Sequence, residues 1–142
     1  MKYLLDTNVC IRLLKGLPES VLQRFDEIQN QDIVIPSIVR FELYYGACKS
    51  ARKDHTMRVL NDFLSRYKTL PFDDLASVCC GEIRADLDKQ GAPIGPYDLI
   101  IASIALSRDL TLVTHNIKEF SRVPNLNFED WELPLTTRIS PM

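Results

Sequence analysis

Tyr3-Leu4-Leu5-Asp6-Thr7-Asn8, near the start of a chain of 142 residues, joins a short apolar run to an aspartate and two more polar residues. The apolar run predicts a buried strand. A carboxylate is costly to bury, and ligands bind at the ends of parallel strands in open α/β sheets, so Asp6 is a candidate for chemistry. Asp6 or Thr7 is also a good N-cap for a following helix, and on this stretch alone the two explanations have equal weight.

The composition is that of a globular protein, with 46% hydrophobic and 25% charged residues. No apolar run approaches the roughly 20 residues of a membrane span, and Lys2 leads directly into the strand without a secretory signal, so we expect a cytoplasmic protein. The four cysteines form no CxxC pair and do not predict a zinc site. We expect one domain over residues 1–132 and a mobile C-terminal tail over residues 133–142.

Charge is distributed unevenly along the chain. Residues 1–70 contain 11 Lys and Arg against 8 Asp and Glu, whereas residues 71–142 contain 6 against 11. A basic surface beside a carboxylate-rich metal site suits a nuclease, although a self-associating protein could have the same distribution. Charge alone therefore does not decide between the two.

Helices and strands are predicted to alternate along the chain. Strands are expected at 2–6, 33–35, 110–114 and 126–128, with a weak one at 69–72. Helices are expected at 7–15, 18–29, 36–50, 53–67, 96–108 and 117–120, with a long one between Asp73 and Gly91 that has Leu75 and Val78 on its apolar face. This order favours a mainly parallel sheet covered by helices, with right-handed crossovers.

Glu42 is the second unusual carboxylate. On a helical wheel it shares its face with Ile38, Val39 and Tyr45, whereas Arg40 points the opposite way. An ionised glutamate in an apolar stripe costs several kcal/mol unless it is paired or coordinated. A distant Arg or Lys partner would be a structural explanation, but the pattern favours a functional role.

Asp98 is the third, one turn into the helix that Pro96 begins, where the peptide dipoles favour a negative charge. That effect explains a single first-turn aspartate, but three acids so placed in one small domain indicate a site. The strand at 110–114 ends in Thr114-His115-Asn116, on the same edge as Asp6 in a parallel sheet. Asn116 offers an oxygen ligand and a donor, whereas His115 would be unusual on a hard cation. Glu119 is a weaker candidate, because a solvated helix face also explains it.

Carboxylates that converge without a histidine triad suit Mg²⁺ or Mn²⁺. Such an ion deprotonates a bound water, orients it in line with a phosphodiester and neutralises charge on the leaving oxygen. Without the ion the carboxylates would repel one another, and the pKa of at least one would rise. We therefore expect activity that depends strictly on a divalent metal.

Four ordered motifs cover nearly the whole chain. They are Leu4-Leu5-Asp6-Thr7-Asn8, Ser37 to Glu42-Leu43 with Tyr45-Gly46-Ala47, Ile94-Gly95-Pro96-Tyr97-Asp98 to Ile101-Ala102, and Leu112-Val113-Thr114-His115-Asn116 to Glu119-Phe120. In this order and spacing they resemble the VapC toxins, which are ribonucleases of the PIN-domain family. The resemblance extends from Lys2 to Glu129-Asp130-Trp131.

The resemblance implies a three-layer α/β/α sandwich with a sheet of four to five strands. It implies an endoribonuclease that depends on Mg²⁺, with Mn²⁺ as a substitute. The leading candidate for its substrate is tRNA, cut near the anticodon, and this cleavage would stop translation. It also implies a homodimer and a VapB-type antitoxin that blocks the site in a higher assembly. By motif, Asp6 and Asp98 are the direct metal ligands and Glu42 is the third acid. Asn116 stands where many PIN domains have a fourth acid, which predicts one tightly bound ion.

Contacts to RNA are expected from two places. Thr7 and Asn8 lie beside Asp6, and Lys49, Arg52 and Lys53 belong to the densest basic stretch of the chain, which suits phosphate binding. A solvated helix junction is the alternative explanation of that stretch.

Tyr44, Tyr45 and Tyr97 are candidates for stacking on unpaired bases, although we expect Tyr45 to pack in the core.

Two other functions remain open from the residues. A strand followed by an aspartate such as Asp6 also begins phosphatases with an aspartyl nucleophile. Those enzymes have a second aspartate where this chain has Asn8, so the usual general acid is missing here. The other is a non-catalytic RNA-binding or antitoxin-binding module, which the intact Asp6, Glu42 and Asp98 speak against.

Overall fold

A parallel sheet forms the centre of the protein in a computed structural model that describes residues 1–133. Its strands are β1 (Tyr3–Leu5), β2 (Ile33–Val34), β3 (Thr111–Val113) and β4 (Phe128–Glu129), in the order β2-β1-β3-β4. Every adjacent pair is parallel. Strands β1 and β2 are buried throughout, as parallel sheets covered on both faces require.

Seven helices in residues 1–133 flank this sheet and complete the predicted α/β/α architecture. They are α1 (Thr7–Lys15), α2 (Glu19–Asp26), α3 (Ser37–Lys49), α4 (Lys53–Leu64), α5 (Asp74–Lys89), α6 (Pro96–Ser107) and α7 (Ile117–Phe120). No helix in this part of the chain has both the length and the apolar character that crossing a membrane would need.

Local signals in the sequence set most helix ends. Asp6 caps α1, accepting from the Val9 N–H at 2.9 Å, and Gly16 ends this helix with a φ of 74°. Asp73 caps α5 in the same way, accepting from the Ala76 N–H at 3.0 Å. These caps satisfy main-chain donors that have no partner inside the helix, so the boundaries fall close to the predicted ones.

Long-range contacts hold the helices to the sheet. The Arg40 guanidinium donates to the carbonyls of Ile35, Leu64 and Tyr67, at 3.0, 3.3 and 2.9 Å, and so joins α3 to the strand before it and to the end of α4. Trp131, which is buried, packs edge-on against Tyr3 with ring centroids 5.6 Å apart. The segment after β4 is thereby fixed against the first strand of the sheet.

Two structural predictions were wrong. Residues 69–72 form no strand. An isolated bridge joins Val34 to Lys68 and the Ser37 N–H donates to the Leu70 carbonyl, so the segment makes single hydrogen bonds and no regular ladder. Leu75 and Val78 were expected on the apolar face of α5 but are exposed, because this helix packs on α6 through another side that buries its last apolar residues. The tail predicted for 133–142 lies outside the described residues except for its first position.

Candidate active site

Asp6 lies at the carboxyl end of β1, next to the end of β3. The Asp6 N–H donates to the Val113 carbonyl at 3.2 Å, so the two strands are paired to their last residues. Chain connections leave β1 and β3 in opposite directions, to β2 and β4, and open α/β sheets bind ligands at strand ends where the connections diverge in this way. The sheet therefore places Asp6 at the expected position for a site.

The Asp6 side chain is only 5% exposed, and its helix-capping bond does not remove the cost of that burial. Desolvation raises its pKa from 3.8 to about 6, against the lowering effect of hydrogen bonds from Thr114 and the Val9 N–H, and the nearby carboxylate of Glu42 raises it further. Asp6 is therefore the N-cap of α1 and also a carboxylate whose ionisation burial disfavours, while its role in chemistry stays a prediction.

Glu42 faces this site from α3. Its Oε1 accepts a 2.8 Å hydrogen bond from the Thr7 hydroxyl, which fixes the carboxylate beside α1. The buried face of α3 consists of Val39, Leu43 and Ala47, so Glu42 lies at the edge of the apolar stripe and not in its middle. Glu42 is only partly buried, so its degree of burial was overestimated, and its functional role stays a prediction.

Asp98 forms a second group with Asn116 and Glu119. The Asn116 side-chain amide donates to Oδ2 of Asp98 at 3.3 Å and to Oε2 of Glu119 at 3.1 Å. Desolvation raises the pKa of Asp98 to about 7, and a hydrogen bond to Glu119 and the charges of Glu119, Asp6 and Glu42 act in the same direction. The same hydrogen bond lowers the pKa of Glu119, so Asp98 is the acid of this pair that binds a proton more readily.

The structure thus brings together the four predicted site residues, Asp6, Glu42, Asp98 and Asn116, and places Glu119 with them. The sequence made Glu119 a weaker candidate because a short helix end looks solvated. Its position three residues after Asn116, on the first turn of α7, is the signal that places both side chains on one side of that turn. Asn116 serves here as a donor that bridges two carboxylates.

A third group lies beyond the end of β3 and was not predicted. Nδ1 of His115 lies 2.9 Å from Oδ2 of the buried Asp130, and ligand atoms of His115, Asp130 and Glu132 lie within 4.8 Å of one another. Arg12 pairs with Glu132 at 3.9 Å, and the Asp130 hydrogen bond raises the pKa of His115. Asp130 follows β4 as Asp6 follows β1, so strand-end position is the signal that could have found it. The charge of Glu132 also raises the pKa of Asp6, so this group lies close to the predicted metal site.

The predicted RNA-contacting residues occupy different settings. The Thr7 hydroxyl is directed to Glu42, so its observed role is to orient that acid. Asn8 is exposed on the first turn of α1, and Lys49, Arg52 and Lys53 are exposed around the junction of α3 and α4. Their contacts with RNA remain predictions.

The PIN domain family model matches residues 3–126. The tRNA(fMet)-specific endonuclease VapC of Salmonella typhimurium is 43% identical over 131 residues, which cover 92% of this chain and 98% of the relative. Ribonuclease VapC2 of Rickettsia felis is 42% identical, with 93% and 99% covered. A crystal structure of DNA-bound VapBC from Salmonella typhimurium contains a chain with a TM-score of 0.86 and 43% identity, with 92% of this chain and 98% of that chain covered.

Proposed function

Because the chain belongs to the VapC family of PIN-domain proteins, we propose that it is a divalent-metal-dependent endoribonuclease that cleaves transfer RNA. The observation that carries the proposal is the gathering of Asp6, Glu42, Asp98 and Glu119 at one sheet edge, with the pKa of two of them raised to about 6 and about 7. Carboxylates whose ionisation is so costly in the folded protein indicate a positively charged ligand.

The donor set fits Mg²⁺ or Mn²⁺. The candidate ligands are carboxylate oxygens, which hard cations prefer, and Mg²⁺ commonly takes one or two carboxylates directly and completes its coordination with water. Asp6 and Asp98 would hold the ion, because each carries a raised pKa that a bound cation would lower. When bound, such an ion supplies a nucleophilic water and neutralises charge on the phosphate.

The remaining side chains orient and hold protons. The Thr7 hydroxyl fixes the Glu42 carboxylate through Oε1. Asn116 holds the carboxylates of Asp98 and Glu119 in one orientation through its amide. The proton that Asp98 shares with Glu119 must leave before both acids are ionised, so the ionised site forms only near or above neutral pH without a cation.

The names of two similar proteins support a substrate and a partner. The name of the Salmonella relative specifies tRNA(fMet), and the similar Salmonella crystal structure is of a VapBC complex. We therefore propose tRNA, cut in its anticodon region, as the substrate, inhibition of translation as the result, and a VapB-type antitoxin as inhibitor of a homodimer. Because tRNA is cytoplasmic, the proposal places the protein there as well.

The proposal is tested by incubating the purified chain with total tRNA in Mg²⁺, in Mn²⁺ and in EDTA, and mapping the new RNA ends. Cleavage is expected with either metal and absent in EDTA. Asp98→Asn should lower the rate at least about 100-fold, because it removes a ligand of the metal ion that would neutralise the charge developing on the phosphate. The matched control is Asp74→Asn, since Asp74 is the first-turn acid of α5 as Asp98 is of α6.

If both variants lowered the rate equally, the effect would be one of helix dipoles and Asp98 would have no role in the site. If wild-type protein bound tRNA without cleaving it in any metal, the non-catalytic module would be the correct function. The phosphatase alternative is set aside, since the chain belongs to a nuclease-containing family and Asn8 lies exposed on α1.

A further inference from the structure

His115, Asp130 and Glu132, termed here the His115 trio, meet beyond the ends of β3 and β4 and share no residue with the acid site. Nδ1 of His115 lies 2.9 Å from Oδ2 of Asp130 and 3.6 Å from Oε2 of Glu132. Ligand atoms of the three residues all lie within 4.8 Å of one another. Two carboxylates therefore converge on a single ring nitrogen.

The surrounding chain holds the trio in this arrangement. The Thr114 N–H donates to the Glu129 carbonyl at 3.0 Å, so the residues just before His115 and Asp130 are joined. Oδ1 of Asp130 accepts from the Glu132 N–H at 2.9 Å, which leaves Oδ2 directed at the imidazole. The Asp130 side chain is only 6% exposed, so packing restricts it to this direction.

A hydrogen-bonded ion pair explains only part of this arrangement. A proton on Nδ1 of His115 makes one hydrogen bond to Asp130, and the 3.6 Å distance to Glu132 is too long for a second. Arg12 is a distant partner of Glu132, since its Nε lies 3.9 Å from the other carboxylate oxygen, Oε1. One proton thus serves one carboxylate, whereas a metal ion at the same place would contact both.

The distances within the trio match those between the ligands of a metal ion. Zn²⁺ binds imidazole nitrogen and carboxylate oxygen at about 2.0–2.2 Å, so its ligand atoms lie about 3.0 Å apart in octahedral and about 3.4 Å apart in tetrahedral coordination. The distances of 2.9 and 3.6 Å from Nδ1 lie close to these values. The His115 side chain is 56% exposed, which gives an ion and its water ligands access from solvent.

We propose that the His115 trio binds a divalent transition-metal ion, with Zn²⁺ as the best fit and water in the remaining position. One imidazole nitrogen with two carboxylates suits Zn²⁺, whereas the oxygen ligands of the acid site suit Mg²⁺ or Mn²⁺. This ion is additional to the one proposed for Asp6 and Asp98. It joins the end of β3 to the segment after β4, and so it stabilises the folded protein.

The test measures Zn²⁺ binding by calorimetry, with the full chain carrying no histidine tag and with excess Mg²⁺ present to occupy the acid site. Wild-type protein should bind one Zn²⁺ at the trio. His115→Asn and Glu132→Gln should each weaken this binding at least about tenfold, because even the loss of an outer partner of a metal site has an effect of that size. Asp98→Asn should keep the Zn²⁺ affinity, since it alters only the acid site.

His55→Asn is the matched control, because His55 is the other of the two histidines in the chain and lies exposed on α4. Its replacement should leave the Zn²⁺ affinity unchanged. In NMR spectra Zn²⁺ should shift the ring resonances of His115 and not those of His55. Zn²⁺ should also raise the melting temperature of wild type and His55→Asn more than that of His115→Asn. Melting in EDTA identifies any variant that fails to fold.

Equal Zn²⁺ affinities of wild type, His115→Asn and Glu132→Gln would overturn the proposal and leave the trio as an ion pair. Loss of Zn²⁺ binding in Asp98→Asn alone would also overturn it, because the ion would then be bound at the acid site. The inference does not rest on the ribonuclease function, since Zn²⁺ binding is measured without RNA. If Zn²⁺ binds as proposed but wild-type protein cleaves no RNA in Mg²⁺, only the ribonuclease proposal fails.

Discussion

Replacing Asp6 with asparagine should stabilise the metal-free protein while abolishing its activity. Asparagine has nearly the same shape and keeps an oxygen that accepts the Val9 N–H, so the cap of α1 survives. What disappears is a buried charge. The folded protein binds the Asp6 proton more tightly than the unfolded chain does, so stability falls as the pH rises from about 4 to about 6, and the penalty is complete above that range.

The magnitude follows from the pKa. A rise from 3.8 to about 6 is roughly two units, or about 3 kcal/mol of unfolding free energy at pH 8. Part of this gain is offset because the amide fits the Thr114 hydroxyl less well, which leaves about 2 kcal/mol. For a chain of this length, that corresponds to a rise of roughly 4–8 °C in melting temperature. At pH 4 the difference should nearly vanish, because Asp6 is protonated in the folded protein.

The assay is thermal unfolding at pH 4 and pH 8, with EDTA or with Mg²⁺. Mg²⁺ should raise the melting temperature of wild-type protein at pH 8 more than that of Asp6→Asn, since the variant has lost a ligand. Asp73→Asn is the control: Asp73 caps α5 in the same geometry, but hydrogen bonds from the Ala76 N–H and Arg108 lower its pKa, so its replacement should destabilise at pH 8. If Asp6→Asn melted below wild type at pH 8 in EDTA, the argument from burial would be refuted.

Three further predictions concern the metal, the third group and the core. Because Asp98 and Asp6 must release protons to bind Mg²⁺, the Mg²⁺ affinity measured by calorimetry should fall about tenfold per pH unit below pH 7 and more steeply below pH 6. An affinity that did not change between pH 5 and pH 8 would contradict this prediction. Asp130→Asn should return the pKa of His115, measured by NMR, towards 6.5, and it should destabilise the protein more at pH 5 than at pH 9. A raised histidine pKa stabilises the folded protein below that pKa, and the stabilisation is lost as the pH rises through it. Equal destabilisation at both pH values would contradict the His115–Asp130 pair. Arg40→Met should lower the unfolding free energy by about 3 kcal/mol in urea titrations, since three carbonyls lose their hydrogen-bond donor. The kcat should stay unchanged. A smaller kcat would mean that the guanidinium also supports the active site.

Most of the fold could be predicted from local signals. The ends of α1 and α5 were found because Asp6, Gly16 and Asp73 act on main-chain groups within a few residues, which a sequence shows directly. The order of strands and helices then favoured a parallel sheet, and the parallel sheet placed the ends of β1 and β3 at one edge. That topology is the reason why Asp6 and Thr114-His115-Asn116 follow strand ends at the same edge of the sheet.

The errors arose where packing between distant elements decides. An apolar stripe shows that a helix has a face, but it does not show which neighbour covers it, and so Leu75, Val78 and Tyr45 were expected inside although they are exposed. The same limit affected Glu119, whose proximity to Asp98 depends on how α7 and α6 meet. Periodicity is a property of one element, whereas burial is a property of two.

Asn116 shows why an amide suits this position better than a further acid would. Asp98 already has its pKa raised to about 7 by desolvation and by Glu119 and other acids, so another carboxylate in contact with both would raise the cost of ionising the group further. The amide of Asn116 instead donates one hydrogen bond to each of the two carboxylates, stabilising their charge without adding to it. A site built in this way needs less positive charge to become fully ionised. One tightly bound dication held by Asp6 and Asp98 stays our prediction, since the side chain at position 116 brings no negative charge for a second ion.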